Sequence, residues 1–143
     1  MKTIRFFLIV TFIIPFLSCN AQSSEKAIKP AASSSDKIEA YYFHFTARCT
    51  TCKTIEAQAK EDLEILYPNQ VKQGLITFQS LNLEEAPNKT LADKLGVSGQ
   101  ALLLVKGDQK INLTNEGFLY AVAKPDRFKQ IINEKVDGLL MIK

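Results

Sequence analysis

The sequence predicts an α/β domain in which strands and helices alternate, and three observations carry that expectation. An aromatic-rich apolar run over residues 39–46 reads as a buried strand and gives way within a few positions to a helical stripe. A second strand-like run and a shorter helix follow it. A Gly107-Asp108 turn then joins two short β segments ahead of a last amphipathic helix, giving the order β-α-β-α-β-β-α.

Each element has its own signal. Between Thr50 and Tyr67, residues Ile55, Ala59, Leu63 and Leu66 fall on one helical stripe, with Glu56 and Lys60 as a solvent-side pair. Pro68-Asn69 is expected to stop that helix. Residues 75–81 form the second strand. Pro87 precedes a short helix over 88–95, which Gly96 caps. Ala101 to Val105 and Lys110 to Thr114 form the hairpin strands. Pro125 opens the final helix, with Phe128, Ile131, Ile132 and Val136 on one face and Gly138 ending or fraying it. The glycosylation-like triplets Asn88-Lys89-Thr90 and Asn112-Leu113-Thr114 are read as a helix start and a strand.

Residues 1–18 predict export. Lys2 and Arg5 precede the apolar run Phe6 to Leu17, which is too short to span a bilayer comfortably and ends at Ser18-Cys19. Phe16-Leu17-Ser18-Cys19 is similar to a bacterial lipobox, which implies a lipid anchor on Cys19 and a periplasmic, membrane-attached protein. The alternative is ordinary cleavage, for example after Ala21, leaving a soluble periplasmic protein. Residues 19–37 are small, polar and unpatterned and read as a flexible tether, leaving 38–143 as one domain with one core. Without residues 1–18, which hold two basic residues and no acidic one, the net charge of +3 falls to +1. No cluster of Lys and Arg interleaved with aromatics remains, so nucleic-acid binding is not expected.

The Cys49-Thr50-Thr51-Cys52 segment stands where the first strand yields to the first helix. Unpaired N–H groups at a helix N-terminus stabilise a thiolate on the first cysteine, and the second lies one turn inside, within reach to close a disulfide. With Cys19 lipidated, these two are the only remaining cysteines, and His44 is the only histidine. A zinc site of four Cys and His ligands therefore cannot be assembled within one chain. A staple across so short a loop would constrain the unfolded chain only weakly, which favours a redox pair over a structural disulfide. Arg48 and Lys53 flank the pair, either as charges that favour the thiolate or as ordinary solvated cations. His44 shares a strand face with Tyr42 and Thr46 and is expected to be a hydrogen-bonded core residue.

In this context Arg48-Cys49-Thr50-Thr51-Cys52-Lys53 resembles the active-site turn of the thioredoxin-like superfamily. The segment Gly96-Val97-Ser98-Gly99-Gln100-Ala101-Leu102 is similar to the stretch leading into that family's third strand. The resemblance spans nearly all of residues 38–140. It implies a thioredoxin-like three-layer α/β/α sandwich with a mixed four-stranded sheet. It also implies a thiol–disulfide oxidoreductase with Cys49 as nucleophile and Cys52 as resolving thiol, and Thr50 and Thr51 as the dipeptide that tunes its potential. The redox-active disulfide would serve without any other cofactor. Expected partners are protein thiols or disulfides of the cell envelope and a membrane electron donor. Two departures stand out. The family's cis-proline position is occupied by Ala101, preceded by Gln100, and a cis bond before a non-proline residue costs about 3 kcal/mol, so a trans loop is expected. Phe43 stands where the family keeps a buried acid. Two other readings use the same fold: a module holding Cu(I) or another thiophilic ion between Cys49 and Cys52, and a non-catalytic adaptor.

Overall fold

The computed structural model describes residues 36–142. The expected signal segment 1–18, Cys19 and the expected tether as far as residue 35 lie outside the described residues. Nine elements follow in order: β1 (Ile38–His44), α1 (Thr50–Leu66), α2 (Pro68–Gln73), β2 (Ile76–Asn82), α3 (Ala86–Leu95), β3 (Ala101–Lys106), β4 (Gln109–Asn112), α4 (Thr114–Tyr120) and α5 (Pro125–Met141). The strands form one mixed sheet in the order β2-β1-β3-β4. β1 runs parallel to β2 with Ile38 opposite Ile76, and antiparallel to β3 with Phe43 opposite Ala101. β4 pairs antiparallel with β3. The fold class is the one expected, a three-layer α/β/α sandwich around a mixed four-stranded sheet.

Strand alternation divides the interior into two layers. Ile38, Ala40 and Tyr42 of β1, with Leu102 and Leu104 of β3, face the stripes of α1 and α5, where Ile55, Leu63, Phe128, Ile132 and Val136 are buried. Tyr41 and Phe43, with Ala101, Leu103 and Val105, face α3, from which only Ala92 is buried. Phe43 is thus an apolar member of this smaller core and is fully buried.

Four expectations need correction. Pro68 does end α1, but it also opens α2, because its fixed φ suits a first helical position and Gly74 in the left-handed region closes the turn. Pro87 lies within the first turn of α3 rather than ahead of it. The second hairpin strand stops at Asn112, whose Oδ1 accepts the Thr114 N–H at 2.9 Å. That local bond turns the chain into α4, an element the residue pattern did not announce. Gly138 neither ends nor interrupts α5, which continues to Met141. Gly96 caps α3 as expected, with φ of 74°.

Candidate functional site

The cysteine pair sits where β1 releases the chain into α1. Cys49 is the N-cap residue of α1, with extended backbone dihedrals, and its Sγ accepts the Cys52 N–H at 3.4 Å. One orphan donor of the helix terminus is therefore turned onto the sulfur. No acidic residue occupies the first turn of α1 to compete with it. Cys49 is exposed and Cys52 is buried, and both are free thiols.

Cys52 rests on β1. The Tyr42 hydroxyl donates to the Cys52 carbonyl oxygen at 2.7 Å and accepts from Gln100 Nε2 at 2.5 Å. The loop ahead of β3 is thereby tied to the first turn of α1 through a strand residue between them. Burial alone pushes the Cys52 thiol up. Hydrogen bonds from Cys49, from the Gln100 side chain and from the Cys49 and Cys52 backbone outweigh burial and hold the thiol below the ordinary range. Tyr42 moves the other way, raised by burial and then by the nearby Cys52, so it stays a protonated donor.

The flanking residues separate. Arg48, half-buried, pairs with Glu56 of α1, so its charge is answered nearly two turns into the helix. Lys53 and Thr50 are exposed, and Thr51 is half-buried. His44 lies at the end of β1, half-exposed, with Nδ1 2.9 Å from the Phe45 carbonyl oxygen. It is hydrogen-bonded but not a core residue, because the strand ends there. Its ring stacks on that of Tyr42, centroids 6.2 Å apart. Ala101 is buried opposite Phe43, and the described residues contain no cis peptide bond. Gln100 and Ala101 also line an open groove of about 510 Å³, whose opposite wall includes Asn112, Thr114 and Glu116. Neither cysteine lines that groove.

Tyr42 is the functional residue that the sequence reading placed on a face without assigning a role. The strand period puts it under the first turn of α1, but its link to Gln100 joins positions far apart in the chain, which no local pattern encodes. Among the described residues no three His, Cys, Asp or Glu side chains gather as a metal site.

No family model matches the chain, and no curated protein matches it. Among solved structures it is similar to thioredoxin O2 from Arabidopsis thaliana in the oxidized state, at 21% identity, covering 72% of this chain and 78% of that one, with a TM-score of 0.49. It is also similar to the germline-specific thioredoxin Deadhead from Drosophila melanogaster, at 16% identity, 71% and 83% coverage and a TM-score of 0.45. A malarial protein is similar at 20% identity, 69% and 96% coverage and a TM-score of 0.44.

Proposed function

We propose that this protein is a thiol–disulfide oxidoreductase of the bacterial cell envelope. The observation that carries the reading is the pairing of an exposed, helix-capping Cys49 with a buried Cys52 at one strand-to-helix junction. In the reductive direction the Cys49 thiolate attacks a partner disulfide. A Cys49–partner bond forms, the partner's other sulfur leaves as a thiolate, and Cys52 then displaces the partner to close the Cys49–Cys52 disulfide. The reverse sequence oxidises a partner dithiol. The redox-active disulfide is the only electron carrier the reaction requires, and the partners are envelope proteins or a membrane electron donor.

The export signal in residues 1–18 supports the envelope setting, with Cys19 as the lipidated anchor. Replacing Cys49 with Ser should abolish exchange with a purified disulfide or dithiol. Undiminished exchange would overturn the reading, as would tight stoichiometric Cu(I) capture by a reduced protein that exchanges nothing. Cys19→Ala should move the protein from the membrane to the soluble periplasmic fraction.

A further inference from the structure

The hydrogen bonds beneath Cys52 have a fixed direction. A carbonyl oxygen can only accept, so the Tyr42 hydroxyl must spend its single proton on the Cys52 carbonyl. Its oxygen is then an acceptor for Gln100, which must present its NH₂ group and not its carbonyl. One of the two amide N–H groups is used on Tyr42. The other is left over beside Cys52, whose carbonyl the same hydroxyl holds, and the Gln100 side chain is one of the groups that lower the Cys52 thiol against its burial. Gln100 stands immediately before Ala101, in the loop that faces the pair.

We propose that Gln100 and Tyr42 are positioning residues for the resolving step: Tyr42 orients the Gln100 amide, and the amide's remaining N–H holds the Cys52 sulfur as the attacking thiolate. The proposal rests on the exchange reading above. In the step concerned, the Cys52 thiolate forms the Cys49–Cys52 bond, the Cys49–partner bond breaks, and the partner leaves as a thiolate. Because Cys52 is buried, a thiolate there needs donors, and Gln100 supplies a side-chain donor that comes from outside the cysteine turn.

The test is the reaction of the reduced protein with an aromatic disulfide, 5,5′-dithiobis(2-nitrobenzoate). The first equivalent of coloured thiolate reports attack by Cys49 and the second reports resolution by Cys52. Gln100→Met keeps the side-chain length and removes the donor. Each pK unit lost costs tenfold in thiolate and returns about threefold in nucleophilicity. A donor to a charged sulfur is worth about one to two such units. The second phase should therefore slow about three- to tenfold at neutral pH while the first is unchanged. At high pH the variant should level off faster than the parent, so the two pH profiles cross. A merely structural defect would not produce that crossing. The charges that reach Tyr42 from its surroundings are those of Cys52, Glu56, Arg48 and Cys49, and Gln100→Met leaves all of them in place.

Gln100→Glu, which brings a negative charge, should slow the second phase more than Met does. Tyr42→Phe should slow it less, and the Tyr42→Phe/Gln100→Met double variant should match Gln100→Met alone, since the hydroxyl acts through the amide. An unchanged second phase in Gln100→Met, equal slowing of both phases, or additive effects in the double variant would overturn the assignment. Absence of any second phase in the parent protein would overturn the exchange reading itself.

Discussion

At the scale of single residues, the buried charged side chain among the described residues lies away from the cysteines, at Asp62 on the inner face of α1. Its side chain is fully buried. Oδ1 accepts from Gln58 Nε2 at 3.0 Å and lies 3.7 Å from Lys129 Nζ of α5, while Oδ2 has no partner. Burial pushes the carboxyl up, and the Gln58 hydrogen bond and the Lys129 charge only partly offset it. The folded-state pKa therefore lies above the unfolded value. The native protein keeps this proton where the unfolded chain has lost it, so the stability contributed by the site falls as pH rises from about 4 through the raised value. The deficit is fully present above that value. Asp62→Leu should raise stability at neutral pH by about 1–2 kcal/mol and flatten its pH dependence between pH 4 and neutrality, read from urea midpoints. Lys129→Met should do the opposite at neutral pH, with the loss disappearing in acid as Asp62 protonates. A destabilised Asp62→Leu would refute this account. Sequence legibility was uneven at this scale: the motif exposed Cys49 and Cys52, whereas Tyr42 and Asp62 owe their importance to neighbours on other elements. On the helical pattern Asp62 sits beside the stripe of Ala59 and Leu63 and reads as a boundary residue until α5 covers it.

Among the elements, α4 is held by a contact that only glycine permits. A Cβ on Gly117 would lie 2.8 Å from Ile55 Cγ2, the short branch of a buried, χ1-restricted side chain that cannot swing aside. Alanine is the better helix former by about 1 kcal/mol, yet Gly117→Ala should destabilise the protein by about 1–3 kcal/mol because α4 must lift from α1. Gly138 is the control. It lies in α5 with nothing within 4 Å of its Cβ position, so Gly138→Ala should stabilise by up to about 1 kcal/mol. Both shifts should appear in the denaturant midpoint at unchanged slope. Equal effects at the two positions would show that propensity alone governs these helices. The same glycine explains why α4 was not legible. Thr114 reads as the end of a hairpin strand and Asn115-Glu116-Gly117 carries no apolar period, and what makes the segment a helix is the Asn112 turn below it and the fit against Ile55. By contrast α1, α5, β1 and β3 have apolar runs long enough to be read directly, and the residues the helical period selects, Ile55, Ala59 and Leu63 in α1 and Phe128, Ile131, Ile132 and Val136 in α5, are buried.

For the molecule as a whole, the unequal faces of the sheet set which part opens first. On one side α1 and α5 each bury several side chains against β1 and β3, with Phe128 and Val136 fully enclosed. There the Tyr67 hydroxyl also locks the end of α1 to Asn133 and Asp137 of α5. On the other side α3 buries only Ala92 and is tied down at its last turn by Lys110 Nζ on the Leu95 carbonyl at 2.9 Å. Local opening costs least where few apolar contacts must break, so α3 is the element expected to detach while the rest stays folded. The consequence reaches the cysteines, because Gly96 to Gln100 follows α3 directly and Val97 is hydrogen-bonded back to Ala92 at 2.8 Å. Detaching α3 loosens the loop from which Gln100 reaches Tyr42. Hydrogen exchange should find the amides of Ala86–Leu95 at least about tenfold less protected than those of α1 and α5. Lys110→Ala should widen that difference without changing α1 or α5. If α3 exchanged only with global unfolding, the sheet would be a single cooperative unit and the Gln100 loop would move only when everything does.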